Sequence, residues 1–221
     1  MNTIKEQFGQ RVICVGFNKT GTTTLGKCFD ILGMAPVARP QALHDVFLNA
    51  NHEVYGSNKE FGIYPYRSIC SQVFDEKNFK FALNISREFL AYHDRPWNVG
   101  NLFKCMDEAY PSSKFILTWR DPQKWWDSVN NWLTKSHPQD EAKYLRYLNH
   151  LNTDQLDKET FIAGYLNHNQ NIIDYFKDKP EKLLTINFEN GEGWAEICNF
   201  LGAQIPEINF PHENKQSIHI D

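Results

Sequence analysis

Between Gly16 and Leu25 the chain reads GFNKTGTTTL, a run of small, hydroxylic and cationic residues suited to holding an anion. An apolar stretch, Val12-Ile13-Cys14-Val15, precedes it, and a helical pattern with apolar Leu25, Cys28, Phe29 and Leu32 follows. Strand, glycine-bearing turn and helix form a backbone that converges N–H groups on phosphate and adds the field of the helix N-terminus. The spacing from Gly16 to Gly21 is that of a nucleotide-binding P-loop, G-x-x-x-x-G-K-[ST]. The position after Gly21 is Thr22, however, and the lysine lies inside the loop, at Lys19. An ATPase or kinase needs its lysine on the β- and γ-phosphates and an adjacent hydroxyl on Mg²⁺. Thr22, Thr23 and Thr24 offer hydroxyls, but Lys19 starts from a different place. It is suited to neutralising a phosphate or a leaving group at the mouth of the loop.

A second segment carries a cation and a hydroxyl at helical spacing. Lys114-Phe-Ile-Leu-Thr-Trp119 reads as a buried strand bounded by Pro111-Ser112-Ser113. It runs into Arg120-Asp121-Pro122 and then a helix through Trp125, Trp126, Val129 and Leu133. Arg is always charged and forks onto phosphate. Ser128 follows Arg120 by a little over two helical turns, so both can face one pocket.

These segments resemble the PAPS-dependent sulfotransferases (PAPS is 3′-phosphoadenosine 5′-phosphosulfate). GFNKTGTTTL is similar to their 5′-phosphosulfate loop, which reads roughly aromatic, x, Lys, Ser/Thr, Gly, Thr, Thr. Their 3′-phosphate motif is a strand ending in Arg, then Asp/Asn-Pro, then a Ser eight residues after the Arg, as Arg120 and Ser128 stand here. Towards the C-terminus, Leu183-Leu-Thr-Ile-Asn187, Gly191-Glu-Gly-Trp194 and Phe210-Pro-His-Glu-Asn214 look like the strand, Gly-Trp helix and tail of the compact bacterial-type members. The resemblance spans nearly the whole chain and is softest over 36–90. It implies a P-loop α/β fold in which Asn18, Lys19, Thr20, Gly21, Thr22 and Thr23 hold the 5′-phosphosulfate and Arg120 and Ser128 the 3′-phosphate. It also implies PAPS as co-substrate, PAP as product, and a small-molecule hydroxyl or amine as acceptor. Sulfuryl transfer of this kind needs no metal when lysine, arginine and backbone N–H groups neutralise the charge. One departure stands out. Phenol- and steroid-type enzymes grip the 3′-phosphate with a basic Gly-containing loop near the C-terminus. Here the comparable stretch, Glu189-Asn-Gly-Glu-Gly-Trp194, is acidic. Either Lys215 or another group replaces that loop, or nucleotide affinity is weaker.

The acceptor needs a base. Lys19 is the natural group to stabilise the bridging oxygen of the breaking bond. The base is sought in Tyr92-His93-Asp94-Arg95-Pro96, at the end of a predicted third strand, because strand C-termini face the ligand in open α/β sheets. The compact family has an Asp-x-Pro here, which Asp94-Arg95-Pro96 matches; cytosolic steroid- and phenol-type enzymes use a histidine, and His93 adjoins the same spot. Neighbours on a strand point to opposite faces, so one of the two is expected to enter the site. His212, Asn214 and Lys215 are placed to close over it. The remaining histidines, His44, His52, His137, His150, His168 and His219, read as surface residues.

The elements that must position these groups alternate. Strands are expected near 11–16, 35–38, 89–93, 114–119 and 182–187. Helices are expected near 21–33, 40–49, 98–110, 122–136, 139–150, 157–178 and 191–201. The pattern is α/β with a mainly parallel sheet flanked by helices. Gly33 suits the end of the first helix, and Phe161, Tyr165, Ile172 and Phe176 form a core-facing stripe on the long one. Residues 51–82, broken by Gly56, Gly62 and Pro65, read as a substrate-side lid or insertion within a single domain over 1–221.

Composition sets the outer bounds. With 221 residues, 41% hydrophobic and 23% charged, the chain suits one soluble domain. Aromatic residues reach 14%, enough to line a pocket for a planar or hydrophobic ligand as well as a core. A net charge of −4 argues against broad nucleic-acid binding, so a polyanionic ligand must meet a local cluster of cations. Cys14, Cys28, Cys70, Cys105 and Cys198 contain no C-x-x-C pair and read as reduced core thiols. No signal-peptide h-region or membrane-length apolar run is visible, which points to a cytoplasmic protein. Three readings compete: a PAPS-dependent sulfotransferase, a non-catalytic nucleotide-binding relative, and an atypical P-loop kinase using Asp121 or Glu189 for Mg²⁺.

Overall fold

Short runs of mostly apolar residues build the sheet, buried in its first four strands and only partly so in the last. Val12–Cys14 (β1), Val37–Ala38 (β2), Ala91–Tyr92 (β3), Lys114–Thr118 (β4) and Leu183–Ile186 (β5) pair in the order β2-β3-β1-β4-β5. All four pairings are parallel, with Ile13 opposite Tyr92 on one side and Phe115 on the other. The computed structural model describes residues 11–35, 37–38, 87, 89–94, 97–98, 100–135 and 157–212. The expected helices at 40–49 and 139–150, the segment 51–82, Cys70, and the histidines at 44, 52, 137, 150 and 219 lie outside the described residues.

Helices Thr22–Ile31 (α1), Leu102–Ala109 (α2), Pro122–Lys135 (α3), Lys158–Phe176 (α4) and Trp194–Leu201 (α5) flank the sheet. Strand alternation sorts the core into two layers. Val12, Cys14 and Ile116 pack with Leu25, Phe29, Ile197 and Leu201 of α1 and α5. Ile13, Phe115 and Leu117 pack with Phe103, Met106, Ile172 and Phe176 of α2 and α4. Both faces of a parallel sheet are thereby covered. The fold is the expected α/β arrangement.

Three local differences from the sequence reading have physical causes. Helix α2 begins at Leu102, not at 98, because Trp97 donates its N–H to the carbonyl of Asp94 at 3.0 Å and starts a turn there. Helix α5 begins at Trp194, and the residues before it form a separate 3₁₀ turn, Phe188–Asn190, ended by Gly191 at φ 82°. The long helix starts at Lys158, where the Asp157 side chain accepts from Thr160 N. Its expected stripe holds: Phe161, Tyr165, Ile172 and Phe176 are the buried residues of α4.

The strand order places the site. From β1 the chain crosses to β2 on one side of the sheet, and from β3 it crosses over to β4 on the other. The C-terminal end of β1 therefore sits at a topological switch point, where open α/β sheets take ligands. Its neighbours there are the ends of β3 and β4, which lead into His93-Asp94 and Arg120.

Candidate functional site

The β1–α1 loop is shaped by close approach. A Cβ on Gly16 would overlap the Oγ1 and backbone O of Thr118 at the end of β4, so only glycine lets the loop leave the sheet there. Lys19 and Gly21 both adopt positive φ, 72° and 100°. The ring of Phe188 lies 2.6 Å from where a Gly21 Cβ would be. Several side chains hold the turn from behind. Asn98 Nδ2 donates to Gly16 O at 3.0 Å and to Asn18 Oδ1 at 3.1 Å, and Trp125 Nε1 donates to Asn18 O at 3.0 Å. The Thr20 hydroxyl meets that of Thr118 at 2.7 Å and also donates to Phe17 O. Thr20's hydroxyl is thus engaged within the protein.

Beneath the loop lies an aromatic platform. Phe17 sits edge-on to Trp125, Tyr165 and His168, and Trp125 stacks on Tyr165 with centroids 4.4 Å apart. The His168 ring bonds Val15 O at 2.9 Å through Nε2. Burial pushes its pKa down to about 4, outweighing the bond to Val15, which raises it. The ring is therefore neutral, with its proton on Nε2 toward the carbonyl. His168 is not the surface residue expected from the sequence. The expectation fails because the long helix α4 is packed against the ends of β1 and α3, and one position of its solvent-side pattern falls under the loop.

Helix α1 has no acidic residue in its first turn, which leaves its N-terminal field open to an anion. Thr22 and Thr24 are buried, while Thr23 is exposed at the helix head. The Lys19 ammonium lies 5.6 Å from the centroid of the Trp132 ring on α3, within reach of a cation–π contact.

His93 and Asp94 do not alternate as a continuing strand would require. Strand β3 stops at Tyr92, and Asp94 takes a left-handed φ of 62°, uncommon for a non-glycine residue but tolerated by Asp. Both side chains consequently lie on the α1 side. His93 Nδ1 is 3.5 Å from Asp94 Oδ2, and Thr22 Oγ1 is 3.5 Å from the same oxygen. The His93 ring packs on Gly26 of α1 and is 6% exposed. The Asp94 side chain is more open, at 17%, and its Oδ1 has no hydrogen-bond partner among the described residues. The left-handed turn removes the strand alternation that was expected to send the two side chains to opposite faces.

Across the loop, β4 delivers Arg120 to the head of α3. Asp121 caps that helix, its Oδ1 accepting from Lys124 N at 3.0 Å, and Pro122 takes the first helical position. Tyr165 clamps Arg120's backbone, its hydroxyl bonding both N and O of that residue at 2.8 and 2.9 Å. A pocket of about 500 Å³ opens along α3, lined by Arg120, Lys124, Ser128, Asn131 and Lys135 among others. Arg120 and Ser128 thus share one pocket, as their spacing predicts. Two features were missed. Lys124 and Lys135 bring further positive charge, though the helical spacing 120, 124, 128 was there to read. Glu189, from the turn after β5, pairs with Arg120 Nη2 at 2.5 Å and with Lys124 Nζ at 3.5 Å. Asn98 and Tyr165 were also missed as supports, and no local signal marks them.

The remaining expectations resolve as follows. His212 is exposed beside Phe210, 5.8 Å between ring centroids. Asn214 and Lys215 lie outside the described residues. Cys14, Cys28 and Cys198 are buried and free, and burial pushes Cys14 and Cys28 up to about 12, so neither thiol is a nucleophile at neutral pH. Among the described residues no group of three or more His, Cys, Asp or Glu could hold a metal ion, and no helix is long and apolar enough to cross a membrane.

Comparison with known proteins agrees with this geometry. A family model described as a sulfotransferase domain matches residues 11–219. The chain is also 25% identical to the Ava biosynthesis cluster protein M of Aspergillus versicolor, over 91% of this chain and 80% of that protein. The matched span takes in the β1–α1 loop, the turn after β3 and the Arg120–Ser128 segment, and the chain belongs to the sulfotransferase family.

Proposed function

We propose that this protein transfers a sulfuryl group from PAPS to a hydroxyl or amine of a small-molecule acceptor, leaving PAP. The observation that carries the reading is convergence: Lys19, Asp94 and Arg120 come from the ends of three adjacent parallel strands at the switch point of the sheet. The site residues fit such a donor. Arg120 Nε is buried with no hydrogen-bond partner among the described residues, and it borders a pocket with two further lysines. When bound, PAPS supplies the activated sulfuryl group.

The chain's own residues have distinct parts in this reading. Asn18, Thr22, Thr23 and the N–H groups around Gly21 hold the 5′ end, and Arg120 and Ser128 hold the 3′-phosphate. Lys19 stabilises negative charge developing on the departing phosphate oxygen. Asp94 takes the acceptor's proton as the new S–O or S–N bond forms. Its carboxylate is the more open of the two candidate bases, whereas His93 is packed under α1. The relative's name sets it in a biosynthesis cluster, which supports a small-molecule acceptor here. The free buried thiols suit the reducing cytoplasm, where this reading places the protein.

The kinase alternative is weakened because both carboxylates it would give to Mg²⁺ are engaged. Asp121 caps α3, and Glu189 is paired with Arg120 and Lys124. A thermal-shift panel decides among the readings. PAP is expected to raise the Tm without added metal, since a ligand bound only by the native state stabilises it by about 2.7 kcal/mol at one hundred times Kd. A larger shift with Mg-ATP, abolished by chelator, would sink the donor assignment. A PAP shift with no transfer from PAPS to any of a panel of phenols, alcohols and amines would favour a binding-only relative.

A further inference from the structure

The cationic stripe of α3 carries more charge than Arg120 alone, and it is matched by an acid from another element. Arg120 ends the strand two residues ahead of α3, and Lys124 and Ser128, four residues apart within α3, stand on one face of that helix. All three line the same pocket, with Asn131 and Lys135 farther along. The turn Phe188–Asn190 brings Glu189 onto this face, where its two carboxylate oxygens divide between Arg120 Nη2 and Lys124 Nζ at 2.5 and 3.5 Å. Lys124 is 61% exposed and Glu189 33%, so this pairing is open to solvent and easily exchanged. A carboxylate held between a guanidinium and an ammonium occupies the place that a phosphate on the same two cations would take.

We propose that Lys124 is a second phosphate-binding cation beside Arg120, and that Glu189 is the counter-ion both release when the nucleotide's 3′-phosphate arrives. The inference rests on the donor reading above. It also accounts for the acidic stretch Glu189–Trp194 standing where phenol- and steroid-type enzymes carry a basic loop. The lost positive charge is supplied instead from α3, one turn beyond Arg120. The site then discriminates by charge. A 3′-phosphate competes effectively with the Glu189 carboxylate for the two cations, whereas a neutral 3′-hydroxyl does not. Arg120 keeps its buried Nε for a phosphate oxygen, because that nitrogen has no hydrogen-bond partner among the described residues.

Calorimetric titration of the full chain with PAP and with 5′-AMP, which lacks the 3′-phosphate, tests this. Wild type is expected to bind PAP more tightly than 5′-AMP. Lys124→Gln should weaken PAP about tenfold while changing 5′-AMP less than about twofold, the scale of one charge-assisted contact. It should also flatten the salt dependence of PAP binding. Glu189→Gln should tighten PAP several-fold and leave 5′-AMP unchanged. If Lys124→Gln leaves the PAP to 5′-AMP ratio as in wild type, Lys124 is a solvated surface charge and the proposal fails. If Glu189→Gln weakens PAP, Glu189 orients Arg120 instead of competing for it, and the counter-ion role is overturned. A wild-type protein without preference for PAP would overturn the donor reading and this inference together, a result distinct from failure in the variants alone.

Discussion

The imidazole of His93 rests on Gly26 of α1, so closely that a methyl group there would lie 2.5 Å from Nε2. The missing side chain lets the turn after β3 approach the helix that follows the β1–α1 loop. One small residue thereby sets the distance between His93-Asp94 and Thr22.

Gly26→Ala is the first test of that arrangement. Removing a glycine from a helix interior would ordinarily gain up to about 1 kcal/mol. Here the added methyl meets a buried ring that is 6% exposed, and overpacking of this kind costs about 1–3 kcal/mol. Overpacking wins, and urea unfolding should show a net loss. A stabilised variant would mean that the ring moves aside at little cost.

Asp94→Asn and His93→Ala separate the two candidate bases. Asp94→Asn is nearly isosteric and should keep PAP affinity while lowering turnover by roughly a hundredfold or more. His93→Ala should cost stability, because its ring fills the space over Gly26, and should lower turnover less. If His93→Ala abolishes transfer in a protein that is still folded, while Asp94→Asn stays near wild type, the two roles must be exchanged.

Lys19 and Arg120 should fail in different ways. Arg120→Ala should weaken PAP binding by roughly 2–3 kcal/mol, the scale of a lost charge-assisted contact, and Ser128→Ala by less. Lys19→Ala should leave PAP affinity less affected but lower turnover at saturating PAPS, because its part is played as charge develops on the leaving oxygen. Unchanged turnover in Lys19→Ala would remove that role.

His168 makes stability depend on pH. Its folded pKa is about 4, against an ordinary value of 6.5, so the unfolded chain binds the proton more readily. The stabilisation from the neutral ring is complete above pH 6.5 and is lost as pH falls toward 4. The gap corresponds to roughly 3 kcal/mol at most. Asp107 acts in a lower window. Burial raises its pKa, but hydrogen bonds from Lys182, Lys179 and Tyr175 outweigh this and leave it below 3.8. Its contribution is therefore present above 3.8 and lost only as pH falls below that. Chemical unfolding at pH 7 and pH 4.5 should show a smaller acid loss in His168→Gln than in wild type. Parallel losses in both would assign the acid sensitivity to another group.

What the sequence determined by itself was local. GFNKTGTTTL read as a glycine-bearing turn between strand and helix because backbone turns and helix starts are dictated by neighbours in the chain, and that turn is present. The Arg-Asp-Pro start of α3 and the placement of Ser128 on the pocket side followed from capping and from 3.6-residue periodicity, and both hold in the structure. The order of the strands and of the described helices along the chain was legible for the same reason. Tertiary structure alone decided what meets across the sheet. Glu189 lies 69 positions from Arg120 in the chain, yet it sits on its guanidinium because β5 pairs with β4. Asn98 and Tyr165 brace the loop and Arg120 for the same kind of reason, and no pattern near either residue foretells it. The left-handed turn at Asp94 cancelled the strand alternation that would have sent His93 and Asp94 to opposite faces. His168, written as one more polar position on a helix, became a half-buried neutral ring bonded to Val15 O only when α4 packed beneath the loop. Periodicity fixes which face a residue occupies, whereas burial and pairing depend on what that face is pressed against.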